Sequence, residues 1–570
     1  MPSLLRLAPL GPLFALAACA TVGPPPAPVA SIPPAVTGES AYGLFLAGQS
    51  AINGGLGGDA AGYFARAAGA ADGSDMSLLE AHTFTAALLA GDVKEAAAIA
   101  PLNDTDPSIR HLAALTLAVD DMSTGQGVNA RAILTGAQVG PPHAQAAALL
   151  TPLAAAMAGD KEAAIALPVI DGEPVLTFFA NIDQAILFER AHRFDEAETA
   201  YRALIERGDP GAVASTDLGA FLERRGRTAD AVAIYTQALA RLPGDSTLLA
   251  DKARATSGRD APPVPTVRET ASEALTAAAS VLVVGKQNEG ALAYLRLALR
   301  LDPDRDSAWL LVGDILADVG DKAGARAAYL APKTGSPDFV AARDKLAWSY
   351  QGDGRKDEAL EAARGVLDAE PGSKDAATTL ADLLRADERY DESVGILDKL
   401  IVGEGEAADW RLLYMRAVDY QESDRWPQAE RDLTQALKLR PDEPELLNFL
   451  GYSWIDRGEK LHEALAMVQK AVDTNPQSGA MIDSLGWGYY RLGDYQTAVD
   501  KLEQAVTLEA GDPDVNNHLG DAYWRVGRRI EAKFQWTRVL SLEPDAKLKT
   551  EVEAKLRNGL GPIDAPVSGS

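Results

Sequence analysis

The chain's one thiol is Cys19, and only six histidines accompany it. A single cysteine forms no disulfide within the chain, and with so few histidines no Cys/His zinc site can be assembled. Other matches to catalytic motifs fail on context. Gly55-Leu56-Gly57-Gly58-Asp59-Ala60 fits a loose dinucleotide-binding fingerprint, but no strand precedes it and it reads as a turn between helices. Gly285-Lys286 lacks the upstream glycine and following hydroxyl residue of a phosphate-binding loop, and His462-Glu463 lacks the second histidine of a zinc-protease helix. No G-x-S-x-G elbow is present. The residues point away from catalysis, metals and cofactors, and leave Cys19 as a point of covalent attachment. An enzyme would need a polar pocket near residues 244–270, a remote alternative.

Residues 1–18, MPSLLRLAPLGPLFALAA, carry one basic residue, Arg6, and a short apolar run broken by Pro9 and Pro12. The run is too short to span a bilayer as a stable helix and suits an export signal. Leu16-Ala17-Ala18-Cys19 resembles the lipobox of bacterial lipoproteins. The resemblance implies cleavage before Cys19, a lipid on its thiol and acylation of its new amino group. Ala20, rather than Asp, follows the cysteine, which by the same resemblance favours the outer membrane over the inner. Residues 19–38 are rich in proline, and at about 3.1 Å per residue in polyproline II they make a tether reaching roughly 50–60 Å.

The elements beyond the tether repeat. Small residues at Gly451, Gly486 and Gly520 stand 35 and 34 residues apart, and Ala417, Ala381, Ala347, Gly313 and Ala279 continue the series backwards. Gly219, Ala185, Pro152, Ala118, Phe84 and Gly48 extend it toward the amino terminus with weaker signatures. Each unit reads as two amphipathic helices, the first with apolar residues at i, i+3, i+4 and i+7. Gly226, Gly320, Gly354, Gly493 and Gly527 fall at helix ends, and Asp512-Pro513 offers a cap followed by a first-turn proline.

Trp309, Val312, Gly313, Leu316, Ala325 and Tyr329 in one unit, and Leu519, Gly520, Tyr523, Ala532, Trp536 and Pro544 in another, follow the W-x2-L-G-x2-Y…A…aromatic…P pattern. The pattern resembles the tetratricopeptide repeat (TPR). The fold class expected is all-α, a right-handed α-α superhelix of about fourteen helix pairs. The period breaks between Gly219 and Ala279, where SGRDAPPVPTV forbids a continuous helix. The organisation expected is a signal (1–18), a tether (19–38), an amino-terminal repeat array (39–256), a proline-containing joint (257–268), a carboxyl-terminal array (269–545), a capping helix (546–558) and a disordered tail (559–570).

The strings NFLGYSWIDRG, DSLGWGYYRLG and HLGDAYWRVGRRIEAKFQW are similar to those of bacterial TPR lipoproteins, specifically over residues 409–545. That resemblance implies a scaffold at the cell envelope, facing the periplasm. One group of such lipoproteins are outer-membrane adaptors that bring a carboxyl-terminal processing protease to its clients. A second, pilotin-like group escorts secretins or pilus components.

Lys+Arg is 54 against Asp+Glu at 81, a net charge of −27 that repels nucleic-acid phosphates. Protein partners are expected instead. All eight tryptophans lie beyond residue 300, and in the last units aromatic, Asn and Arg residues fall about 100° around each first helix from its core stripe. The expected groove comprises Tyr414, then Asn448 and Tyr452, then Asp483, Trp487, Tyr490 and Arg491, then Asn517, Asp521, Trp524 and Arg525. Rigid aromatics beside Arg and Asn are the residue types of interface anchors. They do not reproduce the carboxylate clamp of chaperone-binding TPR domains. Packing of the same aromatics on the neighbouring repeat is the competing expectation.

Overall fold

A repeat with one small residue facing one large one leaves a simple geometric trace. The computed structural model describes residues 40–53, 57–70, 76–136, 138–404 and 409–561. The signal, tether and Cys19, as well as Gly55, Leu56 and residues 562–570, lie outside the described residues. Thirty α-helices and no strand occur among those described. They form fourteen consecutive helix pairs, from Ala41–Asn53 with Gly57–Ala70 to Pro513–Arg525 with Arg529–Ser541. Two single helices stand outside the pairing, Ser246–Thr256 and the terminal Ala546–Asn558. The α-α repeat architecture is therefore the one the period implies.

Within a pair, the glycine of the first helix lies against a large side chain sixteen positions on. Gly48 faces Phe64, Gly219 faces Tyr235, Gly313 faces Tyr329, Gly486 faces Leu502 and Gly520 faces Trp536. A methyl group on Gly486 would stand 2.7 Å from the Leu502 side chain, closer than any carbon contact allows. The one 35-residue interval comes from the turn after Pro444–Arg457, where Gly458 and Lys460 both take left-handed backbone conformations. That turn holds one extra residue, and Gly451 accordingly meets Val468, seventeen positions on. Asp and Ser cap many of the helices. Asp512 accepts from the amides of Asp514 and Val515, with Pro513 in the first turn, and Thr266 and Glu269 close a reciprocal capping box.

The chain divides into two compact units, one ending at Pro371 and one beginning at Gly372. The proline stretch at 257–268, expected to join two arrays, lies inside the first unit. There Arg224 donates to the carbonyl of Pro262 at 3.0 Å and Arg190 to that of Pro265 at 2.9 Å. This brace turns the chain back on itself. The pair Val267–Val284 and Asn288–Leu301 packs across the first helices of four earlier pairs, Met76–Ala90, Pro107–Ser123, Ala144–Met157 and Pro174–Arg190. Its alanines and leucines join theirs in one apolar core. Polar fasteners surround that core. Tyr294 Oη and His143 Nδ1 are 2.8 Å apart, Arg296 donates to the carbonyl of Leu89 at 3.0 Å, and Arg300 pairs with Asp120 at 2.8 Å.

In the second unit, first helices at Lys374–Ala386, Trp410–Glu422, Pro444–Arg457, Gly479–Arg491 and Pro513–Arg525 alternate with their partners. The helix Ala546–Asn558 closes the series by setting Leu548 and Val552 against Trp536 and Val539.

Candidate partner-binding groove

Equivalent positions on successive first helices form rungs 34 or 35 residues apart, and the expected groove residues occupy them. Asn448, Asp483 and Asn517 make one row; Tyr452, Trp487 and Asp521 the next; Ile455, Tyr490 and Trp524 a third; Asp456, Arg491 and Arg525 a fourth. The structure brings these rows together and also engages most of their members internally.

Four expected groove residues are buried and, as they stand, offer no surface to a partner. Tyr414 packs edge-on to Phe449, with ring centroids 5.5 Å apart. Asp483 is bonded by His518, and Asn517 and Asp521 by Lys555. Lys555 reaches in from the terminal helix to within 2.9 Å of Asn517 Oδ1 and 2.8 Å of Asp521 Oδ2, while Trp536 donates to Asp521 Oδ1 at 2.9 Å. Burial opposes the ammonium, but Asp521 and Glu551 raise its pKa and hold it charged. Trp524 is half-buried between Trp536 and Gly559, and Arg525 donates to the carbonyl of Gly561 at 2.7 Å and to Tyr490 Oη at 3.2 Å. The carboxyl end of the chain thus covers the last rung.

One rung earlier, three rings stack. Trp487 lies parallel to Tyr490 at 4.5 Å and to the His518 imidazole at 4.2 Å. Both carboxylate oxygens of Asp483 lie within 3.0 Å of His518 Nδ1. Burial works against charge on this ring, yet Asp483, Asp514 and Asp521 around it raise its pKa above the ordinary value. Asp514 is itself pushed up to about 6, burial being the main cause. A His–Asp pair alone performs no acyl transfer. Among the described residues no hydroxyl is hydrogen-bonded to His518, and one face of its ring is covered by Trp487.

The remaining rung is neither filled by the terminal helix nor satisfied within itself. Asn448 and Tyr452 are half-buried, and Asn448 Oδ1, Tyr452 Oη and Trp487 Nε1 have no hydrogen-bond partner within the described residues. Arg491, beside them, donates to the carbonyl of Asp456 at 2.6 Å.

Sequence reasoning missed His518, Lys555 and Asp514. Lys555 had a visible signal, since it falls in register with Leu548 and Val552 on the buried stripe of its helix. His518 had none, because its partner lies one repeat away. Beside the proline stretch a cavity of about 350 Å³ is lined by Ser123, Thr266, Arg268, Glu269 and Arg300. Its charges are spoken for: Arg268 donates to the Ser123 carbonyl, Arg300 pairs with Asp120, and Glu269 accepts from the Thr266 amide. Among the described residues no group of three metal-ligating side chains occurs, and no helix is long and apolar enough to cross a membrane.

Known proteins share this architecture. A tetratricopeptide-repeat family model matches residues 182–246, 276–337, 345–409 and 414–479, and a TPR-repeat model matches 488–527. A TPR repeat-containing protein of Pseudomonas aeruginosa is 36% identical over 113 residues, 20% of this chain and 19% of that one. Cellulose synthase operon protein C of Escherichia coli K12 is 25% identical over 182 residues, 29% of this chain and 15% of that one. The chain thus spans a fifth or less of the length of these curated relatives. Among solved structures, the APC/C hetero-tetramer Cut9–Hcn1 is similar at 17% identity with a TM-score of 0.37, over 86% of this chain and 97% of the other. With fourteen helix pairs at this period and family matches over more than half its length, the chain is a tetratricopeptide-repeat protein.

Proposed function

We propose that the second unit holds a protein partner along its first-helix face, centred on the rung of Asn448, Tyr452 and Trp487, and that the chain works as an envelope adaptor. Tetratricopeptide repeats are protein-interaction scaffolds, and this class of function is the one its fold carries. The observation that supports the location is the set of three polar atoms without partners, Asn448 Oδ1, Tyr452 Oη and Trp487 Nε1. Leaving a buried donor or acceptor unmatched costs about 1–3 kcal/mol, which a partner returns once the half-buried side chains turn outward and it supplies the missing bonds. Trp524, Arg525, Asn517 and Asp521 belong to the closed end of the groove and serve its shape.

The lipobox-like Leu16-Ala17-Ala18-Cys19 supports attachment to a membrane through lipid on Cys19, with the scaffold held in the periplasm. Such an adaptor would bring an envelope enzyme, for example a carboxyl-terminal processing protease, together with its clients. Metabolic lipid labelling of the chain and of Cys19→Ser tests the anchor. The labelled lipid should vanish and the protein should leave the membrane fraction.

Tyr452→Phe is the sharpest probe of the groove, because it removes one oxygen and leaves the ring. The full chain and this variant are used to capture proteins from detergent-solubilised envelope, followed by mass spectrometry. Tyr452→Phe should melt no lower than the native chain and should retain less of the same partner, by about fivefold for one hydrogen bond of about 1 kcal/mol. Equal capture by Tyr452→Phe and by Asn448→Ala would place the site elsewhere.

A further inference from the structure

Helix Pro174–Arg190 packs on Val267–Val284, and its Leu176, Ala180 and Leu187 belong to one core with Ala271, Ala274, Leu275 and Ala278. The stripe has a fourth member by spacing, and it is Asp183. This carboxyl is 3% exposed, and neither of its oxygens has a hydrogen-bond partner among the described residues. The gap it shares with Leu149, Pro152 and Leu187 has no room for a water molecule. A carboxylate there would be a bare charge inside an apolar contact, whereas a neutral carboxylic acid costs far less to bury.

The surrounding charges do not relieve it. Glu273 on the docked helix and Asp217 on Val213–Arg224 both act to raise its pKa, after burial, which raises it most. The nearby cations are committed: Arg224 holds both oxygens of Glu189 at 2.7 and 2.8 Å, Arg190 donates to Pro265, and Arg305 lies 3.7 Å from Glu273. Glu269 is engaged by the Thr266 amide. Helix Ala144–Met157, packed on the same side, contains no ionisable residue, and Phe194–Arg207 contributes the buried Tyr201. Ser272, on the docked helix, likewise has a fully buried hydroxyl without a partner.

We infer that the pair Val267–Leu301 is an internal occupant of the first-helix face of the first unit, and that its seat there is controlled by the protonation of Asp183. With the proton on, the contact is closed. With it off, the buried charge favours release, which uncovers the apolar faces of Met76–Ala90, Pro107–Ser123, Ala144–Met157 and Pro174–Arg190. The sign follows from linkage. A carboxyl whose pKa is raised in the closed form makes that form less stable as pH climbs from the ordinary carboxylate value through the raised one.

Hydrogen exchange of the amides in 271–284, measured on the full chain from pH 5 to 9 and corrected for intrinsic exchange, reads this directly. In the native chain, protection should fall with rising pH, by up to tenfold per unit for one proton released. In Asp183→Asn, which keeps the shape without the charge, protection should stay level and exceed the native value at the alkaline end. Asp183→Leu should behave in the same way. A native profile that is flat, or a slope that survives in both neutral variants, overturns the inference. So does loss of the helical fold in both, since the neutral form is held to be the closed one.

Discussion

The indole of Trp487 lies flat against the imidazole of His518, ring centroids 4.2 Å apart, and so ties one first helix to the next. Asp483 grips the same imidazole from its edge. Because the pKa of His518 is raised above its ordinary value of about 6.5, the charged ring adds stability that is fully present below that value. It is lost as pH rises through the raised value. The melting temperature of the second unit should therefore fall above about pH 6.5, and His518→Gln should flatten that part of the profile. Calorimetry across pH 5 to 9 checks it. Asp514, pushed up to about 6, adds a decline of the same sign at lower pH, between about 4 and 6.

Lys555 is the second test. Removing its ammonium leaves Asp521 and Asn517 buried with a bond each undone, so Lys555→Met should cost about 3 kcal/mol. Adding Asp521→Asn to that variant should restore more than half of the loss, because no buried charge remains unpaired. Thermal unfolding of the single and double variants reads the difference.

Gly520 faces the fully buried Trp536, and a methyl group there would stand 2.5 Å from the indole nitrogen. Gly520→Ala should destabilise by about 2–3 kcal/mol through overpacking, despite the better helix propensity of alanine. Gly511, with open space around it, is the control, and Gly511→Ala should change stability by less than about 0.5 kcal/mol. Denaturant titration separates the two.

Limited trypsin digestion probes the proline stretch. Arg259 is exposed in irregular backbone, whereas Arg268 lies in the first turn of a helix and donates to the Ser123 carbonyl. The first cut in the stretch should follow Arg259, and Arg268 should resist until the pair Val267–Leu301 loosens. Mass spectrometry of the early fragments decides this.

Where the argument was local, the sequence carried it. The glycine series and the capping residues depend on neighbours within about twenty positions, and each appears in the structure where the spacing placed it. The groove rows were legible for the same reason, since a repeat puts equivalent residues side by side. What spacing could not give was whether a row faces solvent. Trp487 and Trp524 are not free anchors, because His518 and Gly559 come from elements whose arrival no period announces. The proline stretch misled in a similar way. Three prolines mark a break in helix, but whether the chain then continues outward or returns depends on Arg190 and Arg224, far upstream.

The return of Val267–Leu301 has a consequence for how the protein is made. Repeat arrays usually fold from contacts between neighbours, so growth can follow synthesis one pair at a time. Here Tyr294 waits for His143 and Arg296 for Leu89, partners 151 and 207 residues earlier. Contacts this distant in the chain slow folding, because a long loop must close before they form. Until residue 301 has emerged, the early repeats lack the helices that cover their shared apolar face.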